Sequence, residues 1–207
     1  MSRGTALGVD IGGTFTDAVL RTAAGRLFTG KALTTDGELS QGVLDAVSEA
    51  LAAAGIELGE VDTVIHGTTL VTNALIERRG AKTALLTTRG FRDVLEMGRE
   101  NRYDLYDLQL EKPLPLVPRY LRFEVTERLA ADGTVLTLLN EDDIRTALAA
   151  MKADQVEAVA VSFLHSFRNP VHERRTGEIL AAEWPEAVVS LSSEVAPIIR
   201  EYERTST

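Results

Sequence analysis

Residues 10–17 read Asp-Ile-Gly-Gly-Thr-Phe-Thr-Asp, so two carboxylates and two hydroxyls frame an adjacent pair of glycines. That combination suits phosphate. A Gly12-Gly13 turn lets the backbone approach a ligand closely, and its N–H groups can converge on phosphate oxygens. Thr14 and Thr16 would add hydroxyl donors, with Phe15 between them. Asp10 follows an apolar strand that should be buried, where an unpartnered carboxylate is costly. It is therefore read as holding a hydrated Mg²⁺ beside the phosphate. Asp17 is expected to orient the loop by accepting backbone N–H groups.

Two common phosphate loops do not fit. A dinucleotide-binding loop needs Gly-x-Gly-x-x-Gly opening a helix, whereas here the glycines are adjacent and a strand follows. A P-loop needs Gly-Lys-Ser/Thr before a helix. Residues 79–86 carry Ala81 before the lysine and run into a strand. A nucleotide grip borne on a β-hairpin remains.

A second polar cluster runs from His66 to Ala74, with five polar side chains in its first eight positions. It falls where a strand gives way to a helix, the usual mouth of a parallel sheet. Thr68 or Thr69 can cap that helix, whose N-terminus attracts anions. Taken singly, Thr69 reads as an ordinary cap, His66 as a loop histidine and Asn73 as a surface residue.

The elements that must position these groups follow from pattern. Residues 7–12, 14–21 and 27–35 read as three strands joined by tight turns, a β-meander. Residues 38–54 form a helix with Leu39, Val43, Val47 and Leu51 on one face and Gly55 as its stop. Residues 61–67 read as a short buried strand, 68–79 as a helix and 82–88 as a strand. In that order they make a βαβ unit with parallel strands. A short helix is expected at 90–97. The proline-bearing stretch 98–118 lacks a period and reads as a solvated connector. Its Arg99, Arg102, Tyr103 and Tyr106 offer contact to substrate or a partner as the alternative. Residues 120–129 alternate as a half-buried strand that hairpins back through 134–139, with Arg122 and Glu124 outward. Asn140 caps a helix whose apolar face is Ile144, Leu148 and Met151. A buried strand at 156–164 follows, then a helix capped by Asn169 and closed before Pro185, a strand at 187–192 and a helix from Glu194. Glu-Arg-Arg at 77–79 and at 173–175 reads as exposed helix surface. The expected fold class is α/β, a mixed sheet with an N-terminal β-meander and βαβ units. Its expected parts are a phosphate-binding part at 1–97, a connector at 98–118 and a hairpin-plus-αβ part at 119–207.

Composition removes several functions. The 207 residues contain no cysteine, which excludes disulfides, thiolate metal sites and cysteine nucleophiles. The net charge of −9 argues against nucleic acid and anionic membrane as partners. No secretory signal and no apolar run of about 18 residues is present, so a cytoplasmic setting is expected. His66, His165 and His172 are the only histidines, and their spacing is not that of a metal site.

The pair of stretches 10–17 and 66–108, with 160–175 and 192–207 after them, resembles the N-terminal region of the hydantoinase A/oxoprolinase family. The resemblance covers nearly the whole chain in order, and it implies several things that spacing does not. The fold would be one lobe of the actin/sugar-kinase-like ATPase architecture. The activity would be ATP-dependent, with Mg²⁺, and would open a cyclic amide such as a hydantoin or oxoproline. Phosphorylation of the amide oxygen would make it a leaving group. Ketone carboxylation is the alternative within the family, and sugar phosphorylation outside it. Asp10 would meet the metal, Gly12, Gly13, Thr14 and Thr16 the phosphates, and His66, Thr68, Thr69 and Asn73 the substrate or γ-phosphate. No residue is assigned as general base. The chain would be an N-terminal fragment of a longer, oligomeric enzyme, inactive alone, with the adenine side beyond Thr207 and a hydantoinase B-type subunit as partner.

Overall fold

A computed structural model describes residues 4–35, 38–101, 104 and 106–207. These divide into two compact units, one ending at Arg79 and the other beginning at Gly80. Arg102 and Tyr103 of the connector lie outside the described residues.

In the first unit, β1 (Ala6–Ile11), β2 (Phe15–Arg21) and β3 (Leu27–Leu33) form the expected antiparallel meander. Leu7, Val9 and Ile11 alternate with Gly8 and Asp10, so one face of β1 is apolar. Against that face lies α1 (Leu39–Ala54), which buries Ala46, Val47 and Ala50 on Leu7, Val9, Ala18 and Leu20. Each buried branched side chain contributes on the order of 2 kcal/mol from its removal from water. The helix ends at Gly55, as its pattern predicts. β4 (Thr63–Thr68) then pairs in parallel with β1 at the edge of the sheet, giving the order β3-β2-β1-β4.

Two expectations fail here. β4 was expected to be buried, yet all six of its residues are exposed, because α1 lies over β2 and β3. The helix that follows, α2 (Leu70–Glu77), also buries nothing. Nor does β4 belong to a βαβ unit with the next strand. β5 (Thr83–Thr88) instead runs in the second unit between two parallel neighbours, which satisfy both of its edges.

The second unit holds β5, α3 (Val94–Met97), β6 (Arg122–Val125), β7 (Arg128–Leu129) and β8 (Val135–Thr137). After them come α4 (Glu141–Ala153), β9 (Ala158–Ser162), α5 (Val171–Glu183), β10 (Val188–Leu191), α6 (Ser192–Val195) and α7 (Glu201–Ser206). Its sheet is wholly parallel in the order β10-β9-β5-β6, and β9-α5-β10 is a βαβ unit of the expected kind. Ile144, Leu148 and Met151 of α4 enter the core with Leu86, Val159, Val161, Ile179 and Trp184. Asn140 caps α4 by accepting from Asp142 N at 3.0 Å. Asn169 caps α5 from one position further out, accepting from Val171 N at 3.1 Å.

The strand expected over 120–129 is broken in two. β6 pairs with β5, and only β7 and β8 make the hairpin. The break falls at Thr126-Glu127, where the Glu127 side chain turns inward and is fully buried. Arg122, expected outward, is buried too, donating to Val117 O at 2.9 Å and to Glu96 Oε1 at 3.0 Å. The closing helix is split into α6 and α7 around Pro197, which cannot continue a helix. Among the described residues no helix is long and apolar enough to cross a membrane.

Candidate functional site

The loop between β1 and β2 is the centre of the site, and the antiparallel register fixes what surrounds it. Gly12 N donates to Phe15 O at 3.0 Å, closing the turn. The N–H groups of Gly13 and Thr14 meet no acceptor among the described residues, and both residues are exposed. A Cβ on Gly13 would lie 2.9 Å from Asn73 Nδ2, and one on Gly12 2.9 Å from Phe15 O. A side chain at Gly13 would push the Asn73 amide aside, whereas at Gly12 it would meet backbone that cannot yield. Asn73 Nδ2 also donates to Thr69 Oγ1 at 3.4 Å, so the first turn of α2 is tied to the same place.

Asp10 is exposed, on the sheet face away from α1, and has no partner among the described residues. Gly67 lies opposite it on β4, where a Cβ would come within 3.7 Å of Asp10 Oδ1. This corrects the expectation of a buried carboxylate. Strand alternation turns Asp10 outward while Val9 and Ile11 face the core.

The remaining expected residues divide. Thr16 is fully buried on the α1 face, opposite to the face that carries Asp10. Its hydroxyl pairs with Thr34 Oγ1 at 3.2 Å, and Thr34 Oγ1 donates to Gly12 O at 2.9 Å. The two threonines brace the turn from beneath. Asp17 accepts from Lys31 Nζ at 2.7 Å instead of from loop amides. Phe15 is half exposed, with Lys31 Nζ 4.6 Å from its ring centroid. Thr68 accepts from Leu70 N at 3.2 Å and so caps α2, while Thr69 makes no side-chain cap. His66 is in register with Val9, not with Asp10, and alternation sends it to the other face of the sheet. The loop, Asp10, Thr69 and Asn73 thus come together, and His66 does not join them.

Lys31 was missed by sequence reasoning. Its signal was available, because the turn closed by Thr22 and Arg26 fixes the register that sets Lys31 opposite Asp17. The polar groups inside the second unit were missed as well. Glu173, expected on the surface, is fully buried and accepts from Phe163 N at 2.9 Å, Ser192 Oγ at 2.6 Å and Ser193 N at 2.8 Å. Arg204 of α7 reaches in to Ser192 Oγ, Phe163 O and Ile198 O, and pairs with Glu201. Glu127 accepts from His172 Nδ1 at 2.7 Å and from the Thr88 hydroxyl. These groups gather at the C-terminal ends of the parallel strands, where α/β sheets commonly bind ligands. Here they bond to one another. A groove of about 240 Å³ opens on the neighbouring sheet face, floored by Ala158, Ala160 and Ser162, with Arg204 in its wall. Nearer the surface, hydrogen bonds from Thr126 and the Arg89 guanidinium hold Asp143 below the usual carboxylate range. Among the described residues no three His, Asp or Glu stand close enough to hold a metal ion. A cation at Asp10 would need its remaining oxygen ligands from water and phosphate, the normal habit of Mg²⁺.

A glycine turn on an antiparallel meander, followed by a parallel α/β sheet, defines a class of protein that comparison with known chains makes specific. Residues 6–184 match the hydantoinase/oxoprolinase N-terminal region, and the chain belongs to that family. It is 41% identical over 207 residues to the caprolactamase subunit alpha of Pseudomonas jessenii, covering 97% of this chain and 30% of that one. It is 32% identical over 219 residues to the acetone carboxylase beta subunit of Xanthobacter autotrophicus, covering 97% of this chain and 30% of that one. Against 5-oxoprolinase of Saccharomyces cerevisiae the identity is 30% over 239 residues, 94% of this chain and 18% of the relative. Among solved structures, the nucleotide-free acetone carboxylase superposes with a TM-score of 0.88 at 31% identity, over 99% of this chain and 31% of that chain. The ATP-dependent caprolactamase of P. jessenii gives 0.83 at 40% identity, over 98% and 30%. The chain thus spans under a third of the length of these relatives.

Proposed function

We propose that this chain is the phosphate-binding N-terminal part of a cytoplasmic, ATP-dependent enzyme that opens a cyclic amide. The observation that carries the reading is the Gly12-Gly13 turn. It offers two exposed N–H groups without acceptors beside an unpartnered Asp10, with the Asn73 amide at its side. The relatives named as caprolactamase and 5-oxoprolinase support the amide.

An amide resists attack because nitrogen donates into its carbonyl. ATP, when bound, supplies the phosphoryl group that makes the amide oxygen a leaving group. The work left to this chain is positioning and electrostatics. The N–H groups of Gly13 and Thr14 bind phosphate oxygens and stabilise charge spreading onto them. Asp10 would hold a hydrated Mg²⁺ ion, which would supply charge neutralisation at the phosphates. Thr16 and Thr34 keep the turn in shape, and Asn73 donates from above. Thr68 and Thr69 set the first turn of α2 beside them. A hydantoinase B-type subunit fits as partner, since relatives of this chain are named as subunits.

Ketone carboxylation is the second reading, favoured by the superposition on acetone carboxylase. The test is ADP release by the full-length enzyme with its partner. Lactams, hydantoins or oxoproline should stimulate it, and ketone plus bicarbonate should not. Stimulation by ketone plus bicarbonate, and by none of the amides, would replace the first reading with the second. In parallel, Gly13→Val should abolish Mg·ATP binding measured by calorimetry. Wild-type affinity in that variant would remove the phosphate from this loop.

A further inference from the structure

Gly67, Asp10, Asp17 and Lys31 stand in one row across the four strands of the first sheet, in register. All four lie on the face away from α1. Directly opposed residues of antiparallel strands hold their Cβ atoms about 5 Å apart, and like charges so placed repel. Asp10 and Asp17 are such a pair. Two carboxylates that close would together attract a free divalent cation.

Lys31 alters this. Its Nζ is 2.7 Å from Asp17 Oδ1 and 4.6 Å from the Phe15 ring centroid, so it is located from two sides. Its backbone N–H donates to Glu49 Oε2 at 2.8 Å, which fixes the strand beneath it against α1. Asp17 is thereby paired with a cation on the side of the row remote from Asp10.

We propose that Lys31 is a positioning residue that makes metal binding at the loop conditional on nucleotide, by engaging the Asp17 carboxylate so that Asp10 is the one unpaired carboxylate of the row. This rests on the phosphate-binding reading above and adds a device to it. With one carboxylate, the row is a poor site for a bare divalent ion. When a polyphosphate brings its own oxygens, a single carboxylate suffices. The site therefore selects the metal–nucleotide complex over free metal. The Phe15 ring and the Asp17 carboxylate are what hold the ammonium in place.

The probe is Mn²⁺ without nucleotide, followed by the electron paramagnetic resonance signal of the free ion. The wild-type protein should show only weak, non-saturating uptake. Lys31→Met should bind Mn²⁺ about tenfold more tightly, the effect of removing one positive charge some 7 Å from a dication in a water-like dielectric. Adding Asp17→Asn to Lys31→Met should return uptake to the wild-type level, and Lys31→Arg should behave as wild type. Should Lys31→Met fail to fold by circular dichroism, Lys31→Gln carries the same expectation. Unchanged Mn²⁺ uptake in the folded variant, or a gain that survives Asp17→Asn, overturns the proposal. Failure of the phosphate reading shows separately, as unaltered Mg·ATP binding in Gly13→Val.

Discussion

Replacing Glu173 by alanine should unfold the second unit well before the wild type. The carboxylate is fully buried and accepts three hydrogen bonds, two of them from the backbone N–H groups of Phe163 and Ser193. Alanine leaves both without an acceptor, and each orphaned buried donor costs about 1–3 kcal/mol. It also frees Ser192 Oγ, which Arg204 Nε contacts at 3.2 Å, so the buried guanidinium loses part of its surroundings. A loss of about 3–5 kcal/mol is expected, the range for breaking a buried ionic cluster from one side. With a urea slope of about 2 kcal/mol/M, the midpoint falls by roughly 2 M. The assay is Trp184 fluorescence. The chain has one tryptophan, and it sits in the core of this unit, so the signal reports that unit directly. Glu173→Gln is the informative control. Its carbonyl can still accept from Phe163 N and Ser192, while its NH₂ meets the Ser193 N–H, so about 1–3 kcal/mol is lost. A Glu173→Ala shift below about 1 kcal/mol with unchanged slope would refute this accounting.

Three further outcomes follow from the same geometry. Thr34→Val removes the support of Gly12 O and should cost about 1 kcal/mol of stability; calorimetry should find Mg·ATP affinity reduced, and unaltered affinity would show that the brace is idle. Gly13→Ala should weaken Mg·ATP binding because its Cβ, 2.9 Å from Asn73 Nδ2, would displace that amide, and Asn73→Ala alone should reproduce the loss; unchanged affinity in both would remove Asn73 from the site. Asp143 titrates below the ordinary carboxylate range in the folded state, so its contribution to stability is complete above the unfolded pKa and disappears as pH falls through the lower folded value. Urea midpoints measured from pH 7 down to the acid limit should therefore fall less steeply for Asp143→Asn than for wild type, and parallel curves would remove Asp143 from the account.

The readable parts of the fold are those set by local pattern. The meander, the α1 face, the Asn140 cap and the β9-α5-β10 unit all follow from spacing and turn chemistry. The unreadable parts depend on partners far along the chain. Glu127 turns in because His172 and Thr88 are there, and Arg122 because Val117 O and Glu96 are. No period in the sequence encodes such pairs. The burial of β4 was misread because an apolar run states what a strand prefers and not what covers it. Thr16 is a different case. Ala18 and Leu20 are buried on the same strand, so parity alone sends Thr16 inward, beneath the turn.

β4 bears on how the chain survives its own synthesis. It presents Val64 and Ile65, each more than half exposed, on a free sheet edge without lysine or proline to blunt it. The first unit is complete at Arg79, while Gly80–Thr207 must still be translated. At about 5–20 residues per second that takes on the order of ten seconds. From the moment the first unit is complete the edge is a template for any passing strand, since β4 is exposed in the folded chain as well. A ribosome-associated chaperone that engages the nascent chain near Thr63–Thr68 would protect yield, and lysine at Ile65 should raise soluble expression from a chaperone-poor host.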